Sequence, residues 1–212
     1  MLDAVLFDLD GTLVDSLEDI AEALDRAFDD HGLTRPPRTS LRGWVGGGAR
    51  HLVEQAVAAP LVDGILARFQ HHYAVAPAAH TVLYPGLGPV LDALVEQGVR
   101  LAVISNKPHD LTVAIAARRL AAWPFAAIVG HRPGVPLKPD PTAALALADA
   151  LDVPPARCAL VGDAPSDVAT ARAAGMRAFA VSWGFRPRSS LVAAQPDGIA
   201  DHAADLLALL TT

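Results

Sequence analysis

A short apolar run near the start of the chain, residues 5–9, contains an acidic residue and is followed at once by a second. The run shows little polar alternation, which is typical of a parallel strand covered by helices on both faces. Asp8 and Asp10 would then stand at its carboxyl end, with both carboxylates on one face. Their reference pKa values are about 4, so the ionised pair requires a nearby cation. For this segment alone, a simple Asp-Gly turn is the alternative.

Three further apolar runs are each followed by polar residues. The run at 101–104 precedes Ser105 and Asn106. The run at 127–129 precedes a proline-rich loop that carries Lys138, and the run at 159–161 precedes Asp163 and Asp167. In a doubly wound sheet, ligands bind outside the carboxyl ends of the strands, so these side chains are expected to meet at one site. Each has a structural explanation by itself, such as helix capping or a solvated loop position, but their joint order favours function.

The order of these motifs resembles the signature of the haloacid dehalogenase-like hydrolases. The matching parts span nearly the whole chain and are residues 8–12, 101–105, Lys138 and 162–167. The resemblance implies that Asp8 is a nucleophile, that Asp10 is a general acid and base, and that Ser105 and Lys138 bind phosphate. It also implies a Mg²⁺ site whose protein ligands are the Asp8 side chain, the Asp10 backbone carbonyl and Asp163, with Asp167 supporting or sharing that role.

These residue types suit phosphoryl transfer. A carboxylate can attack phosphorus to give an aspartyl-phosphate, but it must approach a phosphate dianion of like charge. Mg²⁺ and Lys138 would offset that repulsion. Asp10 would protonate the departing alkoxide and then take a proton from the hydrolytic water. Gly11 would permit the turn that brings Thr12 close, and we predict Thr12 and Asn106 to be substrate-binding residues.

The strand pattern stops between residues 15 and 84. Helices are predicted there at 17–30, 49–58 and 61–73, and strands and helices alternate again from residue 85 to a short strand at 198–200 and a helix at about 203–210. The expected fold is α/β, with a doubly wound, Rossmann-like parallel-sheet core (1–14 and 82–212) and an inserted all-helical cap domain (15–81). The resemblance implies that this cap closes over the site and selects the substrate.

Composition excludes several classes of protein. The net charge is -6 and no basic stripe occurs, which argues against a nucleic-acid partner. The apolar stretch at 111–129 is interrupted by Arg118, Arg119 and Pro124, so no membrane span is expected. The single Cys158 precludes an intramolecular disulfide framework, and the start of the chain does not read as a leader. A cytoplasmic protein is expected, and its oligomeric state stays open.

Two segments, residues 45–50 and 181–186, resemble the phosphoglycolate phosphatase branch of the family. The expected substrate is therefore a small phosphorylated metabolite, with 2-phosphoglycolate first. Gly47 is predicted to contact it, although residues 46–48 would also suit a flexible linker. Arg50 is predicted to bind its carboxylate, with a solvated surface position as the alternative.

Other functions also fit the motifs. A phosphatase for a sugar phosphate or pyrophosphate would use the same residues, and a phosphosugar mutase of the family would return the phosphoryl group to sugar. A phosphorylated receiver-type signalling module would use an acidic pair, a hydroxyl and a lysine, but it lacks a helical insertion of this size. A dehalogenase of the family would need neither Asp10 nor a metal. An inactive binding protein would not need the complete set of motif residues.

Overall fold

The structure is a computed structural model that describes residues 2–212. In chain order the strands are β1 (Ala4–Phe7), β2 (Val14–Asp15), β3 (Val82–Leu83), β4 (Arg100–Pro108), β5 (Phe125–His131), β6 (Cys158–Gly162), β7 (Arg177–Val181) and β8 (Gly198–Ala200). The α-helices are α1 (Leu17–Asp30), α2 (Arg38–Trp44), α3 (Ala49–Ala56), α4 (Val62–Val75), α5 (Leu87–Glu96), α6 (His109–Arg119), α7 (Thr142–Ala150), α8 (Pro165–Ala173), α9 (Arg188–Ala194) and α10 (Ala203–Thr211). Short 3-10 helices occupy Ala59–Leu61 and Pro155–Arg157.

Six strands form one parallel sheet in the order β5-β4-β1-β6-β7-β8. The chain runs outward from β1 to β4 and β5 and then crosses back to β6, so the strand order reverses around β1. In open α/β sheets, ligands bind at such a reversal, outside the carboxyl ends of the strands. The predicted doubly wound α/β fold is confirmed.

Alternate side chains of β1 enter two separate apolar cores. Val5 and Phe7 pack in the cluster that includes α5, α6 and α10, whereas Ala4 and Leu6 pack in the cluster that includes α7, α8 and α9. Helices therefore cover both faces of the sheet, which accounts for the uninterrupted apolar run. The strand ends at Phe7, two residues before the predicted end, so Asp8 is the first residue beyond it.

The chain between β2 and β3, here called the helical segment (residues 16–81), contains α1 to α4 and no strand. Its two ends are joined because β2 and β3 pair antiparallel, with Val14 opposite Leu83. Asp19 fastens the returning end, since its carboxylate accepts hydrogen bonds from the backbone N–H groups of His80 and Thr81 at 2.9 and 2.7 Å. The extent of a separate cap domain, 15–81, stays a prediction.

The helices agree with the sequence prediction to within two residues where a prediction was made. Helix α1 has the predicted bounds, while α3 ends two residues early and α4 ends two residues late. Helix α2 was missed because it is short and buries one apolar side chain, Leu41, so no helical periodicity marks it. Strand β4 continues four residues beyond the predicted end. Among residues 2–212, no helix has both the length and the apolar character needed to cross a bilayer.

Candidate active site

Three acidic residues meet at the carboxyl end of the sheet. One carboxylate oxygen from each of Asp8, Asp163 and Asp167 lies within 4.8 Å of the other two, and all three residues are buried. Asp8 follows β1, Asp163 follows the neighbouring strand β6, and Asp167 lies in the first turn of α8. The strand reversal around β1 therefore brings together three of the acids singled out from the sequence.

Burial and mutual repulsion oppose ionisation of two members of this cluster, Asp8 and Asp163. Burial first, and then the Asp8 and Asp167 carboxylates, raises the pKa of Asp163 to about 8. Burial likewise raises the pKa of Asp8 to about 6, although Lys138 acts in the opposite direction. A divalent cation would offset this repulsion, and carboxylate oxygens are the hard ligands that Mg²⁺ prefers. The residues therefore fit a magnesium site.

Lys138 bridges two members of the cluster. Its Nζ lies 2.8 Å from Oδ1 of Asp8 and donates a hydrogen bond of 2.6 Å to Oδ1 of Asp167. Burial by itself would lower the pKa of the Lys138 ammonium, but the two carboxylates raise it above its ordinary value. The lysine is therefore a buried cation in contact with an oxygen of the predicted nucleophile.

Asn106 connects the lysine loop to the helical segment. Its Oδ1 accepts the backbone N–H of Lys138 at 2.8 Å, and its Nδ2 donates to the carbonyls of Lys138 and Gly46 at 3.2 and 3.0 Å. Both ends of the amide thus have protein partners. Asn106 holds the loop in place, and its direct contact with substrate stays a prediction.

A partly enclosed cavity lies between the sheet edge and the helical segment. Its empty volume is about 480 Å³, part of which is open to solvent. The core contributes Asp8, Asp10, Ser105, Asn106, Lys107, Pro108 and Leu111, and the helical segment contributes Ile20, Val45, Gly46, Gly48, Ala49, Leu52, Phe69 and Tyr73.

The two predicted hydroxyl groups differ in their surroundings. Ser105 lines the cavity, and its Oγ accepts the backbone N–H of Lys107 at 3.2 Å, so its hydroxyl hydrogen is available to a ligand. Thr12 is buried outside the cavity lining, and its Oγ1 has no partner among the described residues. Its carbonyl accepts a hydrogen bond of 3.1 Å from Nε1 of Trp183. The substrate contact of Thr12 stays a prediction.

The Asp10 carboxylate is held on both oxygens. Ser16 Oγ donates to Oδ1 at 2.5 Å, and Lys107 Nζ donates to Oδ2 at 2.7 Å. Asp10 lines the cavity but its side chain stands outside the acid cluster. Sequence reasoning missed both partners, because Ser16 reads as the N-cap of α1 and Lys107 as a loop lysine. The sequence does contain one indication that Lys107 has a role in the site, because Lys107 and Lys138 are the two lysines of the whole chain.

The structure does not place Gly47 or Arg50 in the lining of the cavity. Gly46 and Gly48 line the cavity, so residues 46–48 are not a free linker, but an added Cβ at Gly47 would meet the side chain of His51 instead. Arg50 lies outside the lining and is 56% exposed, and its Nη2 donates to Asp63 at 2.6 Å. The substrate contacts of Gly47 and Arg50 stay predictions.

The loop after β7 packs against Asp163. A Cβ added at Gly11, whose φ is +83°, would lie 2.4 Å from Asp163 Oδ2. A Cβ added at Gly184 would lie 2.3 Å from Asp163 Cβ. Phe185 donates its backbone N–H to Asp163 Oδ2 at 2.6 Å. Neither position tolerates a side chain without moving the carboxylate. This contact has no signal in the sequence, because residues 181–186 stand out only through their resemblance to a family branch.

Comparison with known proteins agrees with this geometry. The family model described as haloacid dehalogenase-like hydrolase matches residues 2–175. The chain belongs to the haloacid dehalogenase-like hydrolases. A phosphoglycolate phosphatase of Rhodospirillum rubrum is 38% identical to this chain, over 86% of this chain and 80% of its own length. A plasmid-encoded phosphoglycolate phosphatase of Cupriavidus necator is also 38% identical, over 98% of this chain and 93% of its own length.

The fold of this haloacid dehalogenase-like hydrolase is also found in solved structures. A crystal structure from Lactobacillus delbrueckii subsp. bulgaricus, which carries a provisional phosphoglycolate phosphatase name, superposes with a TM-score of 0.91. The two chains are 27% identical, and the match covers 98% of each. Family membership, together with these relatives, shows that the chain is a phosphatase.

Proposed function

We propose that this chain is a Mg²⁺-dependent phosphomonoester hydrolase that acts through an aspartyl-phosphate, with 2-phosphoglycolate as its substrate. The position of Asp8 carries the proposal. Among the described residues, Asp8 is the one that belongs both to the acid cluster and to the cavity lining. The Asp8 carboxylate therefore borders the cavity, in which a ligand would lie, and also the acid cluster, which would hold the metal.

Asp8 and Asp10 divide the chemistry between them. An oxygen of Asp8 attacks phosphorus, the bond from phosphorus to the ester oxygen breaks, and Asp10 donates a proton to that oxygen. Water then attacks the aspartyl-phosphate while Asp10 accepts a proton, which releases inorganic phosphate and restores Asp8. Ser16 and Lys107 position Asp10 for both steps through its two oxygens.

The cations of the site lower the cost of bringing a phosphate dianion to a carboxylate. Lys138, 2.8 Å from Asp8, would bind a phosphoryl oxygen together with the hydroxyl of Ser105. When bound, Mg²⁺ would supply Lewis-acid stabilisation of charge on the phosphoryl group. The side chains of Asp8 and Asp163 and the backbone carbonyl of Asp10 would hold it, with Asp167 as a further ligand or a support.

The choice of substrate rests on the relatives and on the shape of the site. Relatives at 38% identity are named phosphoglycolate phosphatases. The helical segment contributes apolar residues such as Ile20, Leu52 and Phe69 to the cavity, so it encloses a ligand that would not fill an open cleft. We propose that this segment is the cap that selects substrate.

A panel of phosphomonoesters tests the proposal. Purified protein with Mg²⁺ is offered 2-phosphoglycolate, common sugar phosphates, pyrophosphate and an aryl phosphate, and phosphate release is measured before and after exhaustive chelation. We expect kcat/KM to be highest for 2-phosphoglycolate and activity to disappear on chelation. Equal or higher kcat/KM for a sugar phosphate would reject this substrate, and activity that survives chelation would reject the metal assignment.

A further inference from the structure

The two lysines of the chain are both buried in the active site. The chain has 15 arginines and two lysines, so its surface cations other than the N-terminus and histidines are arginines. Lys138 contacts the acid cluster, and Lys107 contacts Asp10; each side chain is 5% exposed. Lys107 is the one cation among the residues that line the cavity. Lys138 has the role proposed above, but positioning Asp10 does not by itself require a second buried charge.

Lys107 has hydrogen-bonding capacity beyond its contact with Asp10. An ammonium group carries three N–H donors, and one of them is used at Asp10 Oδ2, 2.7 Å away. The aromatic ring of Tyr73, from α4, lies 4.4 Å from Nζ, and this contact favours the charged form of the lysine. An oxygen acceptor from a ligand would therefore complete the surroundings of Lys107.

Tyr73 presents a second donor at the same place. Its side chain lines the cavity and is 2% exposed, yet its hydroxyl has no hydrogen-bond partner in the part of the chain that the structure describes. A buried hydroxyl without a partner is costly, and a ligand oxygen would relieve that cost. Lys107 and Tyr73 thus form a pair of donors, one from the core and one from the helical segment, with a common need for an acceptor.

The pair stands on the side of the site where the leaving group departs. Asp10, which Lys107 contacts, gives its proton to the ester oxygen in the proposed reaction, so the leaving group lies near Asp10. The helical segment adds mainly apolar side chains here, and Arg50 is paired elsewhere on the surface. An anionic group on the leaving group would meet repulsion from Asp10 unless Lys107 balanced it.

We propose that Lys107, assisted by the hydroxyl of Tyr73, binds a carboxylate on the leaving group of the substrate. The enzyme would then prefer phosphate esters of small hydroxy acids to esters of neutral alcohols of the same size. This proposal rests on the proposed phosphatase function and adds to it the residues that set specificity.

The decisive comparison uses two substrates of the same shape. In 2-phosphoglycolamide an amide replaces the carboxylate of 2-phosphoglycolate, so the charge is removed while the size is kept. We expect wild-type kcat/KM to be about 100-fold higher for the acid, because the neutral amide forms no charge-assisted hydrogen bond with Lys107. If the wild type hydrolyses neither ester, the proposed function fails. If it hydrolyses both equally well, the phosphatase function stands and the role of Lys107 is wrong.

Variants separate specificity from the positioning of Asp10. Lys107→Met should lower kcat/KM for 2-phosphoglycolate by about 100-fold and lower it much less for the amide, so that the preference collapses. Equal losses on both substrates would show that Lys107 only positions Asp10 and would overturn the proposal. Tyr73→Phe keeps the ring and should reduce the preference by about 5-fold. Arg118→Met, which removes an exposed cation, is the matched control and should leave the preference unchanged.

A binding measurement tests the contact without turnover. Because the chain has two lysines, protein labelled with ¹³C at lysine Cε gives two assignable lysine signals. In an Asp8→Asn background with Mg²⁺, 2-phosphoglycolate should shift the Lys107 signal, whereas 2-phosphoglycolamide should shift it much less. Equal shifts of the Lys107 signal with both ligands would contradict a contact with the carboxylate.

Discussion

The guanidinium of Arg186 donates a hydrogen bond of 2.6 Å from Nη1 to the backbone carbonyl of Gly43. It also donates to the carbonyls of Arg42 and Val45, at 2.9 and 2.5 Å. These carbonyls belong to the C-terminal end of α2, where helix carbonyls lack intrahelical partners and a cation is favourable. Since the preceding residue, Phe185, donates to Asp163, one loop joins the helical segment to the acid cluster.

Replacement of Arg186 should therefore weaken catalysis from a distance. We expect Arg186→Ala to lower kcat/KM for 2-phosphoglycolate by about 10-fold, because three hydrogen bonds that hold the helical segment near the site are lost. Arg188→Ala is a suitable control, since Arg188 is a nearby arginine that pairs with Asp201. Steady-state kinetics of the two variants would decide the matter, and equal effects would show that Arg186 has no special role.

Gly184 should be sensitive to a single methyl group. In Gly184→Ala, the new Cβ would lie 2.3 Å from Asp163 Cβ and 2.4 Å from the Gly11 carbonyl oxygen, so the loop or the carboxylate must move. We expect the Mg²⁺ concentration for half-maximal activity to rise about 10-fold. In Gly88→Ala the new Cβ would meet Trp123 at an ordinary distance of 3.6 Å, and activity should be unchanged. An unaltered Mg²⁺ requirement in Gly184→Ala would contradict the tight packing around Asp163.

The sheet was predicted well from the sequence because a strand that is buried on both faces consists mainly of apolar residues. Residues of β1 and β6 face two apolar cores, so both faces demand apolar side chains and the acids at the strand ends stand out. Helix α1 was predicted to the residue because its buried positions recur with helical spacing. Short elements such as α2 and the pair β2 and β3 carry too few residues to show a period.

Contacts between distant segments could not be read from the sequence. Lys107 and Tyr73 are 34 positions apart and come together only when α4 packs over the end of β4. Phe185 reaches Asp163 through its backbone N–H, which every residue other than proline possesses, so no residue type marks it. The ion pair between Arg50 and Asp63 is a further example, because the two residues are 13 positions apart and lie on different helices.

The nucleophile assignment is tested by Asp8→Asn. An amide cannot supply the attacking carboxylate, so we expect kcat to fall at least about 10³-fold while circular dichroism shows an unchanged fold. Mass spectrometry should exclude deamidation back to aspartate. Asp63→Asn, which removes an exposed carboxylate outside the cavity lining, should have near wild-type activity. A near wild-type rate for Asp8→Asn would remove Asp8 from the role of nucleophile.

The acid cluster should couple Mg²⁺ binding to pH. In the metal-free protein the pKa of Asp163 is raised to about 8 and that of Asp8 to about 6, mainly by burial. The folded state thus keeps protons that the unfolded state releases near pH 4, so these two groups make the folded state less stable as pH rises from about 4 to 8. Mg²⁺ requires the ionised carboxylates and must displace those protons at lower pH.

Thermal unfolding with and without Mg²⁺ measures this coupling. We expect saturating Mg²⁺ to raise Tm by several degrees more at about pH 8.5 than at about pH 6, because the metal no longer competes with protons and also relieves the repulsion. Asp163→Asn should remove most of this difference, whereas Asp63→Asn, at an exposed position, should keep it. Calorimetry in two buffers of different ionisation enthalpy should show proton release on binding at about pH 6. A Tm increase of the same size at both pH values would mean that the raised pKa values do not govern metal binding.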